Sequence, residues 1–148
     1  MTVFTLAPVT PDTIGFEQLL AESRAGNHKM LQHFEENWRS GANVFARRGE
    51  IMLGAWDGAT LVATCGRNVD PYDPHPQAGR VRHLYVAERY RRHGVGQLLI
   101  AAIQSDAATY FDYLNTNAPE AAFAFYEHLG FAPLVREYAT HRYALTRA

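Results

Sequence analysis

The 148-residue sequence predicts an α/β fold with elements in the order β-α-α-β-β-β-α-β-α-β-β. Three observations carry that expectation. An apolar strand ending at Val86 runs through a basic turn into Gly94 and Gly96 and then into an amphipathic helix, which is the anatomy of a phosphate cradle. At a helix start the first backbone N–H groups lack partners and the dipole is positive, so an anion there is favoured. A hairpin is marked by Asp57-Gly58 between two apolar runs. Elsewhere, apolar residues at spacings of three and four separate the strand-like runs.

Taken in order, Thr2 to Val9 reads as a strand, and Thr10-Pro11-Asp12 stops it before a helical pattern of Ile14, Phe16, Leu19 and Leu20. Arg24 to His28 breaks that helix. Met30, Leu31, Phe34 and Trp38 form the apolar face of a second helix, which Ser40-Gly41 ends. The hairpin occupies Glu50 to Arg67, with Ile51–Trp56 and Thr60–Cys65 flanking its turn. Asn68 to Gly79 carries Pro71, Pro74 and Pro76 and is expected to be loop. There follow a strand through Val86, a helix from about Gly94, a strand-like run Tyr110–Leu114, a helix to Leu129, and closing strands around 131–137 and 140–145. No repeat or linker interrupts the pattern, so one domain over residues 1–148 is expected.

Composition narrows the function. A chain of this length typically buries about 68–70% of its unfolded surface, enough for a real core. The formal charge of −1 and sequence pI near 6.6 argue against a general nucleic-acid or anionic-membrane binder, so any phosphate site must be local. With Cys65 the only cysteine, neither an intrachain disulfide nor a thiolate-rich zinc site is expected, and no metal site is assigned. Met1 to Phe4 lacks a basic region followed by a long apolar run, and no apolar stretch nears membrane-spanning length, so a soluble cytoplasmic protein is expected. Homodimerisation stays open.

The cradle departs from two better-known nucleotide motifs. A P-loop needs Lys-Ser or Lys-Thr after its second glycine, but Gln97-Leu98 follows Gly96. A dinucleotide fingerprint places its first glycine at the strand end and adds a third, whereas seven residues separate Val86 from Gly94 and position 99 is Leu. Asp112, sixteen residues after Gly96, only loosely imitates the ribose-binding acid. What remains is Arg91-x-x-Gly94-x-Gly96, entered from a strand, followed by Asn117, a helix carrying Phe125-Tyr126-Glu127, and Leu129-Gly130-Phe131.

Together these segments, from about Arg80 to Phe131, resemble the acetyl-CoA-binding motifs of the GNAT superfamily of N-acetyltransferases. The resemblance implies a mixed, twisted sheet flanked by helices on both faces. It also implies two splayed strands whose slot admits the pantetheine arm, since unpaired strand groups can complete their ladder with its amides. By the same resemblance, the main chain of Leu84, Tyr85 and Val86 meets pantetheine. Arg91, Arg92 and the N–H groups of His93, Gly94, Val95, Gly96 and Gln97 face the pyrophosphate, with Gly94 and Gly96 permitting backbone that a Cβ would resist. Asn117 would contact the pantetheine or phosphate region. With Pro119 and Glu120 following, it also looks like a helix N-cap. Gly130 is expected to close that helix in the left-handed conformation, with Phe131 packing back.

The implied activity is acetyl transfer from acetyl-CoA, as cosubstrate, to an amine acceptor. An amine that ordinarily titrates near about 10.4 is protonated at neutral pH, and exposing its lone pair costs on the order of 4–5 kcal/mol. The departing CoA thiolate then takes a proton. A thiol near 8.5 and a phenol near 10 differ by about 1.5 units, so donation from a tyrosine costs roughly 2 kcal/mol. Tyr126 matches the family's general acid; it also fits a core aromatic on the face Ala122, Phe125, Tyr126 and Leu129. Where many relatives carry a basic Glu or His, this chain has Arg80 and Arg82, and arginine cannot take the proton. His83 is nearest, but strand alternation points it to the face opposite Arg82. Glu35, Glu36, Asp70, Asp73 and His75 could border the acceptor site, and the base stays unassigned. If Arg80 and Arg82 face the slot, they favour an acceptor carrying a carboxylate near its amine. The acceptor could be a small molecule or a peptide or protein amine. The rival readings are a CoA- or acyl-CoA-binding sensor of the same fold and a nucleotide oxidoreductase.

Overall fold

The computed structural model describes residues 2–145. The seven strands are β1 (Thr5–Pro8), β2 (Ile51–Asp57), β3 (Thr60–Val69), β4 (Ala78–Val86), β5 (Tyr113–Thr116), β6 (Ala132–Arg136) and β7 (Ala139–Ala144). The helices are α1 (Phe16–Ala25), α2 (Met30–Ser40), α3 (Val95–Ser105) and α4 (Phe123–His128). One mixed sheet holds all the strands in the order β1-β2-β3-β4-β5-β7-β6, antiparallel except for the parallel pair β4 and β5. This is the predicted element order and fold class.

The sheet divides two apolar cores. On one face Val95, Leu99, Ile100 and Ile103 of α3, at helical spacing, pack over Val62, Val81 and Leu114 with Tyr126 and Phe131. On the other, Phe16, Leu19 and Leu20 of α1 meet Leu31 and Phe34 of α2 above Met52 and Tyr85. Among the described residues no helix is long and apolar enough to cross a membrane.

Several boundaries differ from the expectation for local reasons. The first strand is shorter than Thr2–Val9. Helix α1 starts at Phe16, not Ile14: Gly15 turns left-handed before it (φ 95°), leaving Ile14 90% exposed. The hairpin turns on Gly58-Ala59, because Asp57 already pairs with Thr60. The proline loop is shorter than Asn68–Gly79, since Asn68 and Val69 pair with Arg80 and Gly79. The fifth strand is Tyr113–Thr116 and not Tyr110–Leu114: Ala107–Thr109 form a 3₁₀ turn, and Phe111 turns into the core. A 3₁₀ turn at Glu120–Ala122 opens the last helix with Pro119 as its N-cap, so Asn117, exposed, does not cap it.

Candidate active site

Pairing places an opening beside β4. Strands β4 and β5 are in register only at Ala78–Arg80 with Tyr113–Asn115. From Val81 onward the β5-side edge of β4 is open, and such edges offer unpaired N–H and C=O groups. A groove of about 690 Å³ follows that edge to the start of α3, within the roughly 300–1,000 Å³ typical of small-molecule sites. Leu84, Tyr85, Val86, Arg91, Arg92, Gly94, Val95, Gly96 and Gln97 line it, joined by His28, Met30, Tyr90 and Phe125. His93, Asn117 and Tyr126 do not. Of the four unforeseen residues, Tyr90 lies in the turn between Val86 and Gly94 and Phe125 adjoins Tyr126 in the last helix, whereas His28 and Met30 come from the α1–α2 junction and carry no local signal.

The end of the groove at α3 is built from backbone. Gly94 is the left-handed N-cap of α3 (φ 82°) and supplies no side-chain cap. The first helical bond runs from Leu98 N–H to Gly94 C=O, so the preceding N–H groups of that turn have no helical partner. Gly96 lies within the helix, and contrary to expectation a Cβ there would not be resisted: its nearest contacts would be Phe125 and Val86, at 3.5 and 3.6 Å. Arg91 donates from Nε to Val86 C=O (3.1 Å) and lies over the Tyr85 ring. Tyr85 in turn donates its hydroxyl to Glu22 of α1, and burial together with that carboxylate pushes its phenol up to about 12.

Tyr126 lies behind the groove wall, 5% exposed, between Phe125 and Phe131, each 5.2 Å away by ring centroid. Burial raises its phenol above the ordinary value, and the Thr116 hydroxyl works weakly the other way. The end of α4 holds it: Phe131 N–H bonds back to Tyr126 C=O (3.0 Å) and Gly130 N–H to Glu127 C=O (3.1 Å), with Gly130 left-handed. This is the paired closure expected at Gly130, with Phe131 packed on Tyr126.

A bulge in β4 overturns the expected facing of two residues. Thr64 pairs with Tyr85 and Gly66 with Arg82, so His83 and Leu84 together oppose Cys65. His83 is left-handed (φ 55°), and its carbonyl accepts the Thr64 hydroxyl at 2.8 Å. Its ring therefore joins Phe34 and Phe45 on the α2 face, the face Arg82 also occupies. Burial, then the Arg82 charge and His33, lowers the His83 imidazole to about 3. It is neutral and a very weak base, and its Nε2 is buried without a partner. Unfolded, the same ring titrates near 6.5. The unfolded chain therefore binds the extra proton between about 3 and 6.5, so stability is full above that window and falls as pH drops through it. Chemical denaturation of His83→Asn, which tolerates the left-handed backbone, should show the slope in this window reduced by up to about 1.4 kcal/mol per pH unit. An unchanged slope would refute the buried, neutral state.

Arg80 does not face the slot. Its buried guanidinium lies 3.6 Å from Asp70, donates to Tyr138 C=O (2.6 Å) and covers the Tyr72 ring. Asp70 and Asp73 are equally engaged. Asn115 donates to both (2.9 and 3.1 Å), and Tyr113, Arg136 and Arg142 converge on Asp73. Burial opposes the Asp73 charge, but the His75 N–H, Tyr113, Asn115 and Arg136 together hold its carboxyl below the usual range. Among the other acidic and basic candidates, His75 pairs with Asp112 (2.7 Å), Glu35 approaches Arg24 (3.9 Å) and Glu36 accepts from Gln32 (2.9 Å). Arg82 alone of the two arginines lines a second cavity, of about 310 Å³, formed with the α2–β2 connection and Asn68 of β3.

The chain matches the family model of the GNAT acetyltransferase domain over residues 47–133, more than half its length. Its fold superposes on that of a protein described as an acetyltransferase from Exiguobacterium sp. 255-15, with a TM-score of 0.85 and 29% identity over 96% of this chain and 93% of that one. A GCN5-related N-acetyltransferase from Ralstonia eutropha JMP134 gives a TM-score of 0.66 at 20% identity, covering 91% and 96% of the two chains. A GNAT-family acetyltransferase from Staphylococcus aureus Mu50 gives 0.69 at 14%, covering 97% and 100%. The last two are likenesses of fold. No curated protein matches the sequence. Fold and family model together define an acetyltransferase. The chain belongs to the GNAT superfamily of N-acetyltransferases.

Proposed function

We propose that the protein moves the acetyl group of acetyl-CoA to a primary amine by direct attack, with Tyr126 as the general acid. The observation that carries this reading is the open β4 edge beyond Arg80, which leads without interruption to the uncapped first turn of α3. A ligand needing amide partners along one half and phosphate partners at the other matches that sequence of groups. The main chain from Leu84 to Val86 would hold the pantetheine arm. The N–H groups at Val95, Gly96 and Gln97, with Arg91 and Arg92, would hold the pyrophosphate. Asn117, His93 and the Tyr126 hydroxyl, outside the groove lining, would touch the ligand only if its arm extends past the wall.

In the reaction the neutral amine nitrogen attacks the thioester carbonyl carbon. A C–N bond forms, the C–S bond breaks, and the sulfur keeps the electron pair. The Tyr126 hydroxyl gives that sulfur its proton; the surplus amine proton leaves to solvent, from which the phenolate is reprotonated. Burial weakens Tyr126 as an acid but destabilises a thiolate in the same place, so the two shifts offset each other. The proton-accepting group is not Arg82, and His83 is too weakly basic for an amine. The near-neutral charge and the buried Cys65 fit a cytoplasmic enzyme with small diffusible substrates.

Thermal shift with acetyl-CoA, CoA and NAD, followed by thiol release over an amine panel, tests the reading. Stabilisation by both CoA forms and acceptor-dependent thiol release are expected. Binding without release would favour a sensor, and stabilisation by NAD alone an oxidoreductase.

A further inference from the structure

The cavity beside Arg82 has a distribution of polar groups that nothing within the protein satisfies. Arg82 makes no hydrogen bond or ion pair among the described residues, although it is half-buried. Asn43 accepts Phe45 N–H at its Oδ1 (3.0 Å), which orients the amide and leaves its buried Nδ2 without a partner. Asn68, 4% exposed, has an unpartnered buried Oδ1. Unmet buried polar groups are costly and are usually completed by a ligand or water. Three residues that line one cavity therefore carry two unmet donors and one unmet acceptor. The Glu50 carboxylate also lines it, its oxygens already accepting the Arg47 and Val69 N–H groups, and it adds negative charge on the acceptor side.

Resting on the acetyl-transfer reading, we infer that this cavity is the acceptor subsite and that it takes an α-amino carboxylate. The carboxylate binds Arg82 and Asn43 Nδ2, and the amine binds Asn68 Oδ1 in the field of Glu50. Its about 310 Å³ is at the low end for ligand sites, which suits a free amino acid and not a folded protein surface. Position agrees: Arg82 borders this cavity and Leu84 borders the groove, two residues apart on β4 with only the His83 bulge between them. Arginine at a strand position that a general base would suit thereby gains a purpose, because it binds the acceptor's carboxylate in place of abstracting a proton.

The test is a thiol-release screen of the common L-α-amino acids with acetyl-CoA, comparing the best substrate with its α-carboxamide. The free acid should exceed the carboxamide in kcat/KM by at least about tenfold, the usual worth of a hydrogen bond to a charged group. Arg82→Met should abolish that preference while acetyl-CoA affinity holds, and Asn68→Ala should slow both substrates. A second readout avoids turnover: calorimetric titration of each common L-α-amino acid into CoA-loaded wild type and Arg82→Met, where binding of none of them to wild type overturns the subsite. Binding lost in Arg82→Met supports the subsite even if no amine releases thiol, an outcome that would sink the transfer reading alone. Equal rates for acid and carboxamide in wild type, or a preference retained in Arg82→Met, overturn the subsite while transfer stands.

Discussion

Tyr126→Phe is expected to lower kcat by about 10²–10⁴-fold, the usual worth of general acid help, or roughly 3–5 kcal/mol at the transition state. The substitution removes one oxygen and keeps the ring that packs on Phe125 and Phe131. The main-chain bond from Phe131 N–H to the carbonyl of residue 126 does not involve the side chain, so the end of α4 should persist. Acetyl-CoA affinity should hold, because the residues that line the groove are unchanged and the phenol proton is needed only as the thiolate leaves. Single-turnover measurements isolate the chemical step, and melting curves report packing. A tyrosine serving only the core would change the melting temperature and leave the chemistry alone. If kcat stays within about threefold while chemistry limits the rate, solvent at the slot mouth protonates the thiolate.

Gly96→Glu should eliminate measurable acetyl-CoA binding in a protein that still folds. The position is helical and a Cβ makes only ordinary contacts with Phe125 and Val86, so Gly96→Ala is a control for fold. A glutamate extends into the groove beside N–H groups suited to an anion, where it both fills space and supplies a competing negative charge. Calorimetry on both variants decides: undiminished affinity in a folded Gly96→Glu protein would remove the phosphate end from this turn.

What was legible in the sequence was whatever is local along the chain. Leu84 to Gln97 form one run in which strand, turn and helix follow directly, and most of those residues line the groove. Gly130 was legible for the same reason, since its partners lie within five residues. Partnerships over long range were not. Arg80 is claimed by Asp70 and by Tyr138, 58 residues away, and nothing near it announces either. The period-two rule failed at His83 because it presumes an uninterrupted strand, whereas one left-handed residue turns both His83 and Arg82 to the same face. Pairing with Arg80 and Gly79 likewise drew Asn68 and Val69 out of a proline-rich loop. Asn43 and Asn68, from separate elements, meet only once the α2–β2 connection has folded over β3.

The polar and charged cluster of Asp70, Asp73, Arg80, Asn115 and Arg142 sits where β4 and β5 still touch, and mechanically it is a fulcrum. With that end riveted, the opening angle is set before any ligand arrives, so little ordering entropy remains to be lost on entry. Asp70, Arg80 and Asn115 of the rivet are buried and shielded from counterions, whereas Arg92 at the far end is in open solvent. Ionic strength should therefore loosen one end of the ligand and leave the other untouched: CoA should lose affinity with added salt, and pantetheine, which has no phosphate, should not.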